Sequence, residues 1–233
     1  MLDDGEQVSF DRLLVAVGRT PRRQSLGLDA AGVSLDEHGY VRVDAHLRTT
    51  NPRIWAAGDL TGHPQFTHSA GVHASLAASN AILGVRRSIH PATEPRVTFT
   101  SPEVGAIGVS TQDPGSPGLR VVTWMHDELD RAVTAGSTPG WTKLVVDKNS
   151  RIVGATVVSP RAGETLGELT LAIRHGMRTR DIAGATHPYP TYNDGVWNAA
   201  IADVRRSLTR QPVALAMRTL VSVRRRWLAR AQR

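Results

Sequence analysis

Two short segments bring together residue types whose spacing suits chemistry. In the first, Gly58-Asp59 closes the apolar run Arg53-Ile-Trp-Ala-Ala57, and Phe66, Thr67 and His68 open an alanine-rich stretch shortly after. A glycine at a strand end lets a ligand approach the backbone, and a carboxylate directly after it accepts hydrogen bonds from ligand hydroxyls. The alternative for Asp59 is a turn or N-cap residue. The amides that open a helix, with the positive end of its dipole, stabilise negative charge; without a ligand, the same residues are a helix start with His68 in solvent. The second segment is His187-Pro-Tyr189-Pro-Thr-Tyr-Asn-Asp194. Its prolines restrict the backbone on both sides of Tyr189, and Asp194 is placed to accept the phenol proton if the chain turns between them. A phenol that ionises near ~10 does not cycle a proton at neutral pH as imidazole does. The alternative here is a rigid loop whose tyrosines fill an interface.

Other chemistries are excluded by composition. The 233 residues contain no cysteine, so they hold no disulfide, thiolate metal site, cysteine nucleophile or dithiol centre. His63, His68 and His73 recur every five residues, which on a helix separates them by roughly 140° per step instead of stacking them. No metal site is expected. Neither a Gly-x-Ser-x-Gly elbow nor a phosphate loop is present.

Several elements must position these residues. Arg12-Leu-Leu-Val-Ala-Val-Gly18 reads as a strand buried on both faces, closed by Gly18-Arg19-Thr-Pro21. Gly39–Asp44 and Arg53–Ala57 read as short strands, and Thr67–Leu83 as a helix closed by Gly84. After the connector Ile89-His-Pro-Ala-Thr-Glu-Pro95, strands are expected at Val97–Thr100, Ala106–Val109, Leu119–Trp124, Trp141–Val146 and Ile152–Val158, with a hairpin at Asp147–Ser150. Helices follow at Gly163–His175, with Leu166, Leu169, Leu171 and Ile173 on its apolar side, and at Thr179–Ala183. The fold class is α/β followed by α+β.

The net charge of +7 is local. Nine arginines and no acid lie between Val204 and Arg233, and the first 203 residues hold 19 basic against 21 acidic residues. Nucleic-acid binding by the body is therefore not expected. Along Pro212–Arg233, Val213, Met217, Leu220, Val221, Trp227 and Leu228 fall near one side of a helix and arginines largely on the others. Such a helix packs on its own protein, lies on anionic lipid or meets a polyanion. With neither a signal peptide after Met1 nor an apolar run of spanning length, a cytoplasmic location is expected.

Four segments, in order, resemble the pyridine nucleotide-disulfide oxidoreductases. Val8–Pro21 looks like the strand ending that family's nucleotide-binding domain, and Thr49–Asp59 is similar to its second flavin motif. Ser101-Pro-Glu-Val-Gly-Ala-Ile-Gly108 resembles the opening of its dimerisation domain, and Gly136–Asp194 follows that domain to its terminal loop. The resemblance implies that residues 1–20 are the end of an NAD(P)-binding domain and 21–94 the returning part of an FAD-binding domain. Residues 95–203 would then form a dimerisation domain with mixed or antiparallel sheet, and 204–233 a basic helical tail. It further implies FAD contacts from Gly58, Asp59, Phe66, Thr67 and His68, and a homodimer in which the loop carrying Tyr189 and Asp194 reaches the partner's flavin. NAD(P)H would reduce that flavin in the complete enzyme. Pro64-Gln-Phe-Thr-His68 and Tyr189 look more like the mercuric-reductase branch than like the disulfide reductases, where a histidine and a glutamate match Tyr189 and Asp194.

The family's Gly-rich nucleotide turns, its redox cysteine pair and the terminal cysteine pair of mercuric reductases have no counterpart here. The chain reads as the C-terminal half of such a flavoprotein, inactive alone, with the remainder supplied by an N-terminal half or a separate polypeptide. The competing reading is a non-catalytic dimerising module whose basic tail meets a membrane or polyanion.

Overall fold

A computed structural model of the chain describes residues 5–110, 117–209 and 211–231. Met1, Arg210 and Arg233, invoked above, lie outside them. Contacts divide the chain into two units, Met1–Ile89 and His90–Arg233.

Among its described residues the first unit has no strand ladder, only isolated bridges. The expected strand at Arg12–Gly18 does not form: the segment is extended and open, with Leu14 and Val17 almost fully exposed. A strand buried on both faces exists only between neighbours that pair with it, and among the described residues no ladder includes it. Gly39–Asp44 and Arg53–Ala57 are reduced to isolated antiparallel bridges, Leu35 to Val41, Val43 to Thr49 and Arg48 to Trp55. The helix α1, Thr67–Leu83, forms as expected and ends on Gly84 in the left-handed conformation, φ 66°. Leu47, Leu76 and Ala77 make a small core with Val43, Trp55, Ala57 and Ile89 against them.

The second unit is a five-stranded antiparallel sheet with helices, an α+β domain. Its strands are β1 (Arg96–Thr98), β2 (Glu103–Gly108), β3 (Arg120–Met125), β4 (Trp141–Val146) and β5 (Ile152–Ser159), in the spatial order β1-β2-β5-β4-β3. The β4–β5 hairpin is set by Asp147, whose Oδ1 accepts from the amides of Asn149 and Arg151, both at 2.8 Å. That bracing holds Ser150 at φ 62°.

Helices α3 (Ala162–Arg174), α4 (Thr179–Ala183) and α5 (Asp194–Leu208) cover the sheet, α3 on β2 and β5 and α5 on β3 and β4. Ile107, Leu144, Val146 and Val157 from the strands meet Leu166, Leu169, Ile182, Val196 and Ala199 in one core. Leu171, assigned to the apolar side of α3, is instead exposed. It stands five residues from Leu166, about 140° around the helix, whereas Thr165, Leu169 and Ala172 share the inward stripe. A short helix α2 (Asp130–Thr134) precedes β4, and α6 (Gln211–Ala231) follows α5.

Candidate functional site

The first unit gathers the residues expected around Gly58. A 3-10 turn, Gly58–Leu60, packs on α1. Gly58 adopts φ 67°, and a Cβ there would lie 2.9 Å from that of Ala70. Glycine is therefore required both by conformation and by the approach of α1. Thr61 locks the turn by donating its hydroxyl to the Gly58 carbonyl at 2.8 Å.

Asp59 is half-exposed and faces Arg19, Nη1 to Oδ2 3.5 Å. The same guanidinium donates through Nη2 to the carbonyl of Gln65, just before α1. Arg19 thus ties the Gly18–Pro21 corner to both parts of the candidate site. Arg19, Thr20, Pro21, Arg22, Asp59 and Leu60 line an open cleft of about 470 Å³. At the start of α1, Phe66 occupies the N-cap without a side-chain hydrogen bond to the helix, and its ring stacks on His68 with centroids 5.2 Å apart.

The side-chain nitrogen of Gln65 is buried with no hydrogen-bond acceptor, a donor that a ligand oxygen would satisfy. Together with a carboxylate on a cleft and a helix start that lacks a capping side chain, this donor set fits the polar edge of a flavin and its polyol chain.

In the second unit, the His187–Asp194 loop departs from the expected pairing. Tyr189 is largely exposed, and its hydroxyl donates to Oδ2 of Asp130 on α2. Asp194 is buried and accepts from the Thr191 amide at 2.9 Å and from its hydroxyl at 3.4 Å. The phenol partner is thus Asp130, because Asp194 is consumed in closing its own turn ahead of α5. The hydrogen bond to Asp130 raises the phenol pKa above its ordinary value, with smaller contributions from desolvation and the charges of Asp130 and Asp194. No sequence signal pointed to Asp130, which lies 59 positions away.

The loop itself is held from α3. His187 Nε2 is 2.8 Å from Glu168 Oε1, and Asn193 donates to the other carboxylate oxygen. His187 Nδ1 lies 3.1 Å from the Ala185 carbonyl, and its ring leans toward Trp197. Behind the loop, His126 is fully buried with Nε2 2.9 Å from Thr142 Oγ1, and burial lowers its pKa to about 4 against a weaker upward pull from Asp127. Among the described residues, no group of three or more His, Asp or Glu side chains is arranged to hold a metal ion.

The class of this antiparallel sheet, backed by two long helices with a proline-bound loop at the start of the second, comes from comparison with known proteins. The sequence profile of the pyridine nucleotide-disulphide oxidoreductase dimerisation domain matches residues 94–200, and that of the pyridine nucleotide-disulphide oxidoreductase itself matches residues 1–74. The chain belongs to the pyridine nucleotide-disulphide oxidoreductase family.

Among curated relatives, the dihydrolipoyl dehydrogenase of Vibrio cholerae is 37% identical over 194 residues, covering 82% of this chain and 41% of the relative. The mercuric reductase of Streptomyces lividans is 36% identical over 201 residues, covering 85% and 42%. Among solved structures, LpdA of Mycobacterium tuberculosis superposes with a TM-score of 0.81 at 27% identity, covering 86% of this chain and 44% of that one. The HOCl-induced flavoprotein disulfide reductase RclA of Escherichia coli gives 0.74 at 27%, covering 84% and 46%. The chain thus spans less than half the length of these relatives.

Proposed function

We propose that this chain supplies part of the FAD site and the dimer interface of an NAD(P)H-dependent flavoprotein oxidoreductase of the mercuric-reductase-like branch. On this reading it acts in the cytoplasm and is inactive by itself. The observation that carries the reading is Asp59 on an open cleft, tied through Arg19 to the entry of α1, within a segment that matches the family. Asp59 would accept from the flavin's polyol hydroxyls, and the Gln65 amide and the first turn of α1 would meet its anionic edge. Bound there, the flavin would supply the hydride-accepting and electron-passing chemistry.

The chain's own residues do the rest. Gly58 keeps the turn pressed to α1, and Arg19 balances the carboxylate. Tyr189, held in its protonated form by Asp130, offers a hydroxyl and not a base, and in a homodimer it would orient an acceptor beside the partner's flavin. Thiol chemistry is not available from these 233 residues, which include no cysteine. Any such step would come from a polypeptide or segment that also carries the two Gly-rich nucleotide turns.

The test is to purify the chain alone, and again after co-expression with the coding sequence directly upstream of its first codon. Alone it should be a colourless dimer by sedimentation; with a partner bearing the Gly-rich turns it should become yellow at one flavin per chain. A stoichiometric flavin band in the isolated chain would overturn the partial-site reading, and a monomer would overturn the interface reading.

A further inference from the structure

The apolar face of α6 is covered by nothing among the described residues. At about 100° per residue, Val213, Met217, Leu220, Val221, Trp227 and Leu228 fall within an arc of roughly 120°, and each is between 39% and 68% exposed. Arg226 falls opposite this stripe and Arg218 and Arg225 along one flank, all three with their side chains in solvent, and Arg230 falls on the other flank by position. Arg224 alone enters the apolar arc, and its guanidinium carbon lies over the Trp227 ring, 5.6 Å from the centroid. A long aliphatic stem in such a place can lie along an apolar surface while its charge reaches outward.

Charge decides among the occupants of this face. From Val204 to Arg233 there are nine arginines and no acid. Two copies packed face to face would bring these arginines together with no carboxylate from the same stretch to balance them. A polyanion such as nucleic acid would satisfy the arginines but has no use for a row of exposed aliphatic side chains and a tryptophan. An anionic bilayer surface satisfies both, since its headgroups attract the arginines and its acyl boundary takes the apolar stripe. No helix among the described residues is long and apolar enough to cross a membrane, which fits a helix that lies along the surface.

We propose that α6 is an interfacial anchor that lays its Val213–Leu228 stripe into the surface of an anionic phospholipid bilayer. The proposal is independent of the flavin reading, because it rests on α6 alone. The orientation follows from the wheel: Leu220 and Trp227 enter the acyl boundary, and Arg218, Arg225 and Arg226 stay at headgroup level.

The test uses the full chain with sedimented vesicles of phosphatidylcholine, alone or mixed with phosphatidylglycerol, at low and high salt. Binding should be at least about tenfold tighter to the anionic vesicles and should weaken with salt. Leu220→Ser combined with Trp227→Ser should reduce it about tenfold or more, with the helical circular dichroism of the lipid-bound form read as a second signal. Both positions are exposed, so the folded body tolerates the change. Equal binding to both vesicle types overturns the proposal. So does binding that survives the double substitution and is matched by heparin, which would make the site a polyanion patch. Loss of a lipid-free oligomer in the double variant would assign the face to a second copy and likewise overturn it.

Discussion

The hydroxyl of Tyr189 donates to the carboxylate of Asp130, a residue on α2 that is 59 positions earlier, while the nearby Asp194 is turned inward to cap its own loop. The expected Tyr189–Asp194 couple is therefore replaced by a pair that joins the loop before α5 to the β3–β4 connection. Asp130 raises the phenol pKa, so Tyr189 stays protonated to higher pH than an ordinary tyrosine. In a spectrophotometric titration at alkaline pH, one of the three tyrosines should ionise late. Asp130→Asn should bring that step down toward ~10, and Asp194→Asn should move it less. Tyr189 and Asp130 are both exposed, so Asp130→Asn should leave the folding stability nearly unchanged.

Glu168 holds the loop from below, because its two oxygens take His187 and Asn193 separately. Both partners are then fixed by one side chain on α3. Glu168→Ala leaves two part-buried polar groups without their acceptor, and a cost of about 2–3 kcal/mol is expected in urea unfolding. Glu168→Gln keeps one acceptor and should cost roughly half as much. A loss no larger than that of an exposed α3 position such as Glu164 would show that the loop is held by something else.

The contrast between elements shows what was legible in the sequence. Trp141–Val146 and Thr179–Ala183 fall where their patterns put them, because each is specified by local periodicity and a nearby turn residue. Arg12–Gly18 has the composition of a buried strand, yet composition only permits burial; neighbours produce it, and among the described residues no ladder includes it. Helix α5 was missed although Val196, Ala199, Ala200 and Asp203 are buried at i, i+3, i+4 and i+7. Its stripe is made of small residues and one aspartate, so hydrophobicity alone does not outline it. That aspartate is accommodated by hydrogen bonds from Arg120 and Thr179, partners that are distant in sequence. Gly58 and Asp59 stand out in the sequence as candidates because the features that suggest them are local. Arg19 and Asp130 do not, because each becomes relevant only through a tertiary contact.

Gly195 begins the tight approach of α5 to the sheet. A Cβ there would lie 2.6 Å from Thr142 Oγ1 and 2.9 Å from His126 Nε2, and both of those side chains are fully buried. Gly195→Ala is expected to destabilise the chain by about 1–3 kcal/mol through overpacking, despite the better helix propensity of alanine. Gly167 on α3 meets nothing within 4 Å at the same test. Gly167→Ala should therefore be neutral or stabilising by up to about 1 kcal/mol. Thermal melts of the two variants should move in opposite directions.

His126 gives the pH dependence of stability a definite sign. Burial lowers its pKa from 6.5 to about 4 in the folded chain, so between those values the unfolded chain binds a proton that the folded chain refuses. Stability then rises with pH across that window. The contribution of the neutral ring is complete above pH 6.5 and is lost progressively as the pH falls toward 4. The loss from this one group is on the order of 2–3 kcal/mol. The Nε2 contact with Thr142 does not compensate, since Nδ1 has no partner to receive a second proton. Denaturant unfolding at a series of pH values should show this slope, and His126→Gln should flatten it between pH 6.5 and 4 while lowering stability at neutral pH. A variant that keeps the full slope would transfer the effect to the carboxylates. Asp203, which burial pushes up but hydrogen bonds from Arg120, Thr179 and Ser150 and the guanidinium charge hold below its ordinary value, changes stability with pH only at lower pH. Its stabilisation is present above the carboxylate's unfolded pKa and disappears as pH falls through the depressed folded one, so the two groups separate along the pH axis.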